Sequence, residues 1–342
     1  MRAAVLDAFG GDVRLTDIAA PEPGPGEVLV GVAACGVGLT LERARTGDLG
    51  GTAPRVVGHE LGGTVLAIGA GVDAWKPGDR VTASFYLTCG WCRSCADGRE
   101  TLCENWGGFV GVHVDGGLAD AVVLPARILV RVPDGVGLAE AAIAADAIAT
   151  PYHALTARVS VRPGQTVAVI GAGGGVGVHM VGMARALGAR VIGIERDPAK
   201  EQRLRAYGCD LTWNPGDEPG WARRLVGGFG AKADVCVDMV ASRSTLSNGM
   251  ELLRRAGTLL IVGYQGGVTF ELDPRPFVLD EVVVTGSRYA SRADIGAALD
   301  LVAQGRVKPV IGARFGLGQV AEAYRVMQAN EAFGRIVVDI DG

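Results

Sequence analysis

The stretch Val167-Ala-Val-Ile-Gly171-Ala-Gly173-Gly174-Gly175-Val176-Gly177 reads as a buried strand, a glycine loop and the entry to a helix, Val178–Leu187. A strand ending in such a loop must turn tightly, and its bare backbone lets a diphosphate approach. The helix N-terminus then offers free N–H donors and a positive dipole. Eighteen residues after Gly177, a second β-branched run ends at Glu195, where a carboxylate can accept hydrogen bonds from the hydroxyls of an adenosine ribose. A glycine loop alone is weak evidence; its context and the placed acid carry the reading. The predicted dinucleotide site is Gly171, Gly173, Gly174, Gly175, Val176, Gly177 and Glu195, with Arg196 beside it. The charge of Glu195 opposes a 2′-phosphate and favours NAD(H), while Arg196 would serve NADP(H) if Glu195 turned away.

Outward from this loop, Val167–Ile170, Arg190–Ile194, Asp234–Val240, Thr258–Val262 and Val282–Gly286 alternate with helical stretches. Near-continuous Val/Ile runs separated by helices predict a parallel sheet covered on both faces. Residues 1–135 have another texture. Short strands (Arg2–Leu6, Glu27–Ala33, Gly63–Ile68, Arg80–Ser84) are broken by turns at Pro21–Gly26 and Lys76–Asp79, as in a barrel-like or sandwich β-domain. An alanine-rich helical run, Leu138–Ala157, joins the two halves across the turn at Pro163-Gly164, and the tail holds helices Asp294–Gln304 and Val320–Asn330 and a strand, Arg335–Ile340. The chain of 342 residues is long enough for two cores.

Composition removes several function classes. Hydrophobic content of 49% with 20% charged residues is that of a globular chain. A net charge of −4, with 33 Lys and Arg scattered along the sequence, excludes a nucleic-acid surface. No apolar run reaches the roughly 18 residues of a membrane span, and Met1-Arg-Ala-Ala-Val-Leu-Asp7 reads as a strand, not a signal peptide.

Four of the seven cysteines, Cys89, Cys92, Cys95 and Cys103, fall in a C-x2-C-x2-C-x7-C pattern. Four thiolates on short loops make a closed tetrahedral site that suits structural zinc. A ferredoxin-type cluster shares the first spacing, but its fourth cysteine follows after three residues and precedes proline; here it follows after seven and precedes Glu104. Thiolate ligands place the protein in a reducing compartment, by default the cytoplasm. Cys209 and Cys236 read as core fillers, His179 as a packing residue of the dinucleotide helix, and His113 and His153 as structural.

With a thiolate lobe ahead of a dinucleotide domain, the chain resembles the medium-chain, zinc-type alcohol dehydrogenases over nearly its whole length. The carriers are Gly58-His59-Glu60-Leu-Gly-Gly, Lys76-Pro-Gly-Asp79-Arg-Val, the four-cysteine lobe, Gly171–Gly177 and Gly334-Arg335-Ile-Val. The resemblance implies an α/β fold in which a GroES-like, β-rich catalytic domain (1–152, zinc lobe about 85–106) is completed by a C-terminal return (288–342). A Rossmann doubly wound parallel sheet (153–287) is inserted between them. It also implies a small-molecule substrate, NAD(P)-dependent alcohol–carbonyl interconversion, a homodimer or homotetramer, and usually a second, catalytic zinc.

The resemblance breaks at that second metal. Where the family reads like C-G-V-C-G-T-D, this chain reads Cys35-Gly36-Val37-Gly38-Leu39-Thr40-Leu41. Gly38 takes the thiolate position, Leu41 replaces the aspartate that orients the ligand histidine, and Arg43 falls where many members carry a proton-relay histidine. His59 and Glu60 remain, and Asp146 stands at the third ligand position. A catalytic zinc keeps three protein ligands and one open position. His59 and Asp146 give two, and Cys35 or Glu60 would have to supply the third. Without the metal, hydride transfer favours acceptors that are already electrophilic, such as enones, acyl-thioester alkenes or iminium ions, with Thr40, Arg43, His59, Glu60 and Asp146 as catalytic candidates. An ordinary zinc alcohol dehydrogenase with an unusual ligand set and a non-catalytic NAD-binding redox sensor are the alternatives.

Overall fold

The structure, a computed structural model, describes residues 1–216, 218, 220–230 and 232–340. It divides into two compact units, Met1–Ala149 with Ala290–Gly342, and Thr150–Tyr289.

The first unit opens with eight strands: β1 (Arg2–Leu6), β2 (Val13–Asp17), β3 (Glu27–Val37), β4 (Arg55–Val56), β5 (Glu60–Ile68), β6 (Arg80–Ala83), β7 (Ala121–Pro125) and β8 (Leu129–Arg131). Strand β3 alternates buried with half-buried residues along its first part and is fully buried over its last four, so it is the spine of this core. Three short helical elements follow its chain: α1 (Leu39–Thr46), α2 (Arg93–Ala96) in the cysteine lobe, and α3 (Leu138–Ile143). Helix α3 packs on the sheet backbone itself, because Gly62 has no side chain; a Cβ there would meet the Leu138 carbonyl. Beyond α3 the expected Leu138–Ala157 run is helical but not uniform. A π-helical turn, Ala144–Ile148, precedes α4 (Ala149–His153), and a second π turn covers Ala154–Arg158. Such one-turn widenings re-aim side chains and often mark functional positions; the first of them carries Asp146.

The second unit supplies β9 (Thr166–Ile170), β10 (Arg190–Ile194), β11 (Leu211–Trp213), β12 (Ala233–Asp238), β13 (Leu253–Ile261) and β14 (Val283–Gly286). All pair in parallel, in the order β11-β10-β9-β12-β13-β14. Renumbered within the sheet, that is 3-2-1-4-5-6, the doubly wound arrangement, with its switch point between β9 and β12. Strand β12 stops two residues short of the expected Val240. Asp238 accepts the N–H groups of Val240 and Ala241 at 2.8 and 2.9 Å and turns the chain there. Strand β13 starts earlier than expected, at Leu253, and carries an irregularity against β12. Helix α5 (Gly177–Ala186) follows β9 and is buried over Gly177–Ala184; α6 (Pro198–Tyr207) follows β10 and is capped by Asp197, which accepts the Ala199 N–H.

The chain then returns to the first unit with β15 (Ile311–Gly316) and β16 (Arg335–Asp339). Strand β16 lies antiparallel against the end of β3, Ile336 opposite Val37 and Val337 opposite Gly36, while β5 lies on the other edge with Glu60 opposite Gly36. The final order is β15-β16-β3-β5-β6-β8, with β7 also on β3. This register sets Glu60 and Arg335 on either side of the Gly36–Gly38 turn.

Candidate active site

The loop after β9 is built as the sequence predicts. Gly171 adopts φ +78°, a left-handed turn that suits a residue without Cβ. Gly177 opens α5, whose N-terminus has no side-chain cap, and an uncapped helix start with its positive dipole is the arrangement that holds a diphosphate. Glu195 ends on the loop itself. Its Oε2 accepts the Gly173 N–H at 2.8 Å, and its Oε1 accepts those of Arg196 and Asp197 at 2.9 and 3.2 Å. Three backbone donors thus fix this carboxylate, while the Arg196 side chain is exposed. Lys200, one turn into α6, is buried, and its side chain reaches within 3.0 Å of where a Cβ on Gly173 would stand. Burial lowers its pKa, opposed by the Glu195 charge. His179 is fully buried, its Nδ1 2.8 Å from the Gly175 carbonyl, and burial pushes its pKa down to about 4. This neutral imidazole stabilises the loop from inside.

Cys89, Cys92, Cys95 and Cys103 place one sulfur each within 4.8 Å of the others. The separations are 4.0 Å for Cys89–Cys95, 3.9 Å for Cys92–Cys103 and 3.6 Å for Cys89–Cys103. A tetrahedral ion with Zn–S bonds of about 2.3 Å requires sulfurs about 3.8 Å apart, so the donor set fits zinc; all four cysteines are free, without disulfides. Burial raises the Cys89 pKa, but backbone N–H groups of Trp91 and Cys92 outweigh it and bring the thiol to about 6. These four residues would hold an ion that fixes the lobe and has no open position.

His59, Glu60 and Asp146 also converge. All three are buried, and His59 Nε2 lies 3.4 Å from both Glu60 Oε1 and Asp146 Oδ2. A fourth member was not foreseen. Arg335, 5% exposed, donates from Nε to Glu60 Oε2 at 2.9 Å, from Nη2 to Glu60 Oε1, and from Nη2 to Asp146 Oδ2 at 3.3 Å. This fork satisfies two carboxylates that could not stay buried alone. Burial pushes the Arg335 pKa down to about 10, which leaves the guanidinium charged near neutrality.

His59, Glu60 and Asp146 bring one donor atom each within 4.8 Å of the others, the spacing of a metal site, but the Arg335 guanidinium lies among them and competes with a zinc ion. A Cβ at Gly38 would stand inside the Arg335 guanidinium, and one at Gly36 inside the Glu60 carboxylate. Residue 38 therefore offers no ligand, and a cation already bridges the carboxylates. Cys35, weighed as a substitute, lies on the opposite face of β3 from Gly36 by strand alternation; its Sγ would contact a Cβ on Gly58, and burial raises its pKa. The histidine tautomer points the same way. Two carboxylates call for a proton on Nε2, whereas a metal needs the lone pair there and the proton on Nδ1. Among the described residues, buried Nδ1 has no hydrogen-bond partner, in keeping with Leu41 in place of an aspartate. Burial lowers the His59 pKa, with Asp146 opposing.

Of the remaining candidates, Thr40 is buried in the first turn of α1 and Arg43 is half-buried one turn on. Glu42, between them, pairs with Arg45 at 2.7 and 2.8 Å and accepts from Gln328 at 2.9 Å. Phe85 stacks its ring edgewise on His59 with centroids 4.8 Å apart, and Tyr86, Phe109 and Trp106 continue the same aromatic cluster.

Comparison with known proteins agrees with this layout. Residues 24–134 match the alcohol dehydrogenase GroES-like domain and residues 175–304 the zinc-binding dehydrogenase domain. An alcohol dehydrogenase of Geobacillus stearothermophilus is 33% identical over 349 residues, 100% of each chain. The chain belongs to the medium-chain, zinc-type alcohol dehydrogenase family. This dehydrogenase is also 27% identical, over 99% of each chain, to an acryloyl-coenzyme A reductase of Metallosphaera sedula. A crystal structure of AibC superposes with a TM-score of 0.91 at 33% identity, covering 99% of this chain and 95% of the other. It is an enzyme of dehydrogenase/reductase type, and none of the helices among its described residues is long and apolar enough to cross a membrane. Sequence reading of this dehydrogenase missed Arg335 and Lys200 as site residues. The only advance signals were a cation in the Gly334-Arg335-Ile-Val motif and a lysine five residues past Glu195.

Proposed function

We propose that this dehydrogenase transfers hydride from NADH to an acceptor that is already electrophilic, a conjugated carbonyl such as an enoyl thioester or enone, or an iminium ion. One observation carries the reading: the space a side chain at residue 38 would take is filled by the Arg335 guanidinium, whose Nε and Nη2 donate to Glu60 and Asp146. No Lewis acid remains to polarise a simple ketone. The likeness to an acryloyl-coenzyme A reductase supports the same choice.

A bound reduced nicotinamide supplies the hydride. The uncapped start of α5 and Gly171–Gly177 hold the diphosphate, and Glu195, with Lys200 beside it, binds the adenosine ribose and opposes a 2′-phosphate. Thr40 and Arg43 are the donors we assign to the substrate oxygen. His59 is assigned to proton exchange with Asp146, 3.4 Å away. Cys89, Cys92, Cys95 and Cys103 hold structural zinc in a reducing cytoplasm. Strand β14 is the free edge of the parallel sheet, and Val278, Leu279 and Val283 near it are exposed, which supports a homodimer or homotetramer; light scattering on the purified enzyme tests that.

The deciding assay compares NADH oxidation with saturated ketones, enones, enoyl thioesters and cyclic iminium ions. Conjugated acceptors or iminium ions should exceed saturated ketones by at least about tenfold in kcat/KM, roughly 1.4 kcal/mol in the barrier. Equal or better turnover of simple alcohols and ketones would replace this reading with ordinary alcohol oxidation.

A further inference from the structure

We propose that the guanidinium of Arg335 is the resident cation of the His59–Glu60–Asp146 cavity, filling the space of the missing residue-38 side chain and keeping a second metal ion out. Its functional weight rests on the hydride-transfer reading above, but the exclusion of metal stands or falls independently of any substrate.

Volume is the first argument. Gly36 and Gly38 share one face at the end of β3, and each lacks the atom that would collide with the ion pair: Glu60 at Gly36, and Nη1, Cζ and Nη2 of Arg335 at Gly38. A side chain at 38 and Arg335 in its present place are mutually exclusive. A side chain introduced at residue 38 must therefore move the guanidinium from its present place.

Charge is the second. Two buried carboxylates need a positive partner, and Arg335 supplies it with a planar fork that a spherical ion would have to displace. An ion entering among His59, Glu60 and Asp146 would lie against a guanidinium that already bridges both acids, with no thiolate to offset that repulsion. The lone pair needed from His59 is the third argument. Its Nε2 faces the two carboxylates at 3.4 Å, and the alternative tautomer leaves an N–H at Nδ1 with no acceptor among the described residues.

The test counts metal on the whole enzyme, by elemental analysis after growth in zinc-supplemented medium and after equilibration with excess Co2+. Wild type should hold one ion per chain, in the cysteine lobe. Gly38→Cys should still hold one, because the guanidinium, even if pushed aside, keeps its charge beside the two acids. Gly38→Cys combined with Arg335→Ala offers the introduced thiolate, His59 and Asp146 as three ligands, and should take a second ion. Two ions in wild type or in Gly38→Cys would overturn the proposal. So would a double variant that still binds NADH yet holds only one. A wild type with one ion that reduces no conjugated acceptor would sink the functional reading and leave the exclusion of metal intact.

Discussion

Glu195 and Gly173 are locked together: the carboxylate accepts the glycine N–H at 2.8 Å, and a Cβ on residue 173 would come within 2.7 Å of the same oxygen. The acid we propose as the ribose ligand therefore also shapes the glycine loop proposed to receive the diphosphate. Glu195→Ser removes the charge that opposes a 2′-phosphate and leaves the exposed Arg196 to attract it. The NADPH-to-NADH ratio of kcat/KM should rise by at least about tenfold. An unchanged ratio would show that Glu195 does not set cofactor choice. Gly173→Ala displaces the same carboxylate but keeps its charge, so it should raise the KM for both cofactors and move the ratio less than Glu195→Ser does.

Removing the buried guanidinium takes away the cation that bridges Glu60 and Asp146. Arg335→Met should destabilise the protein by about 3–5 kcal/mol at pH 7, read as the urea midpoint. Adding Asp146→Asn should recover part of the loss. A variant as stable as wild type at pH 7 would mean that the acids are satisfied in some other way.

The cysteine lobe should behave as structural only. Cys103→Ser should lose the lobe's zinc and lower the Tm by about 5–10 °C. Turnover per folded molecule at low temperature should stay within about threefold, because a closed four-thiolate site has no position for substrate. Abolished activity in a variant that remains folded would contradict this.

His179 predicts a pH effect on stability. Its folded pKa, about 4, lies below the ordinary 6.5 because burial disfavours the charged ring. The unfolded chain binds the extra proton first, so the contribution is fully present above pH 6.5 and drains away as pH falls toward 4, by about 3 kcal/mol in all. His179→Asn should flatten that part of the stability profile. An identical slope in the variant would assign the acid sensitivity elsewhere.

Much of the fold was legible because it follows local rules. Strands β1 and β10 begin and end where the sequence predicts, and β9 is apolar on successive residues because both sheet faces are covered. Strand ends were less legible. Glu27–Val37 runs four residues past its expected end because two partner strands, β5 and β16, hold it there, and pairing partners are not written in the strand itself. In the cavity, the loss of a thiolate at Gly38 could be read directly. What replaced it could not, since Arg335 and Glu60 are 275 residues apart and nothing local marks an arginine as buried. The orientation of Cys35 was available from strand alternation alone: with Gly36 turned toward Glu60, its neighbour must point away.

Strand β16 has a further consequence for the timing of assembly. His59, Glu60 and Asp146 leave the ribosome long before Arg335, and their pocket holds surplus negative charge until the penultimate stretch of chain is laid against β3. The catalytic domain therefore cannot mature ahead of the dinucleotide domain inserted within it, and nascent chains halted before residue 335 should remain chaperone-bound and protease-sensitive.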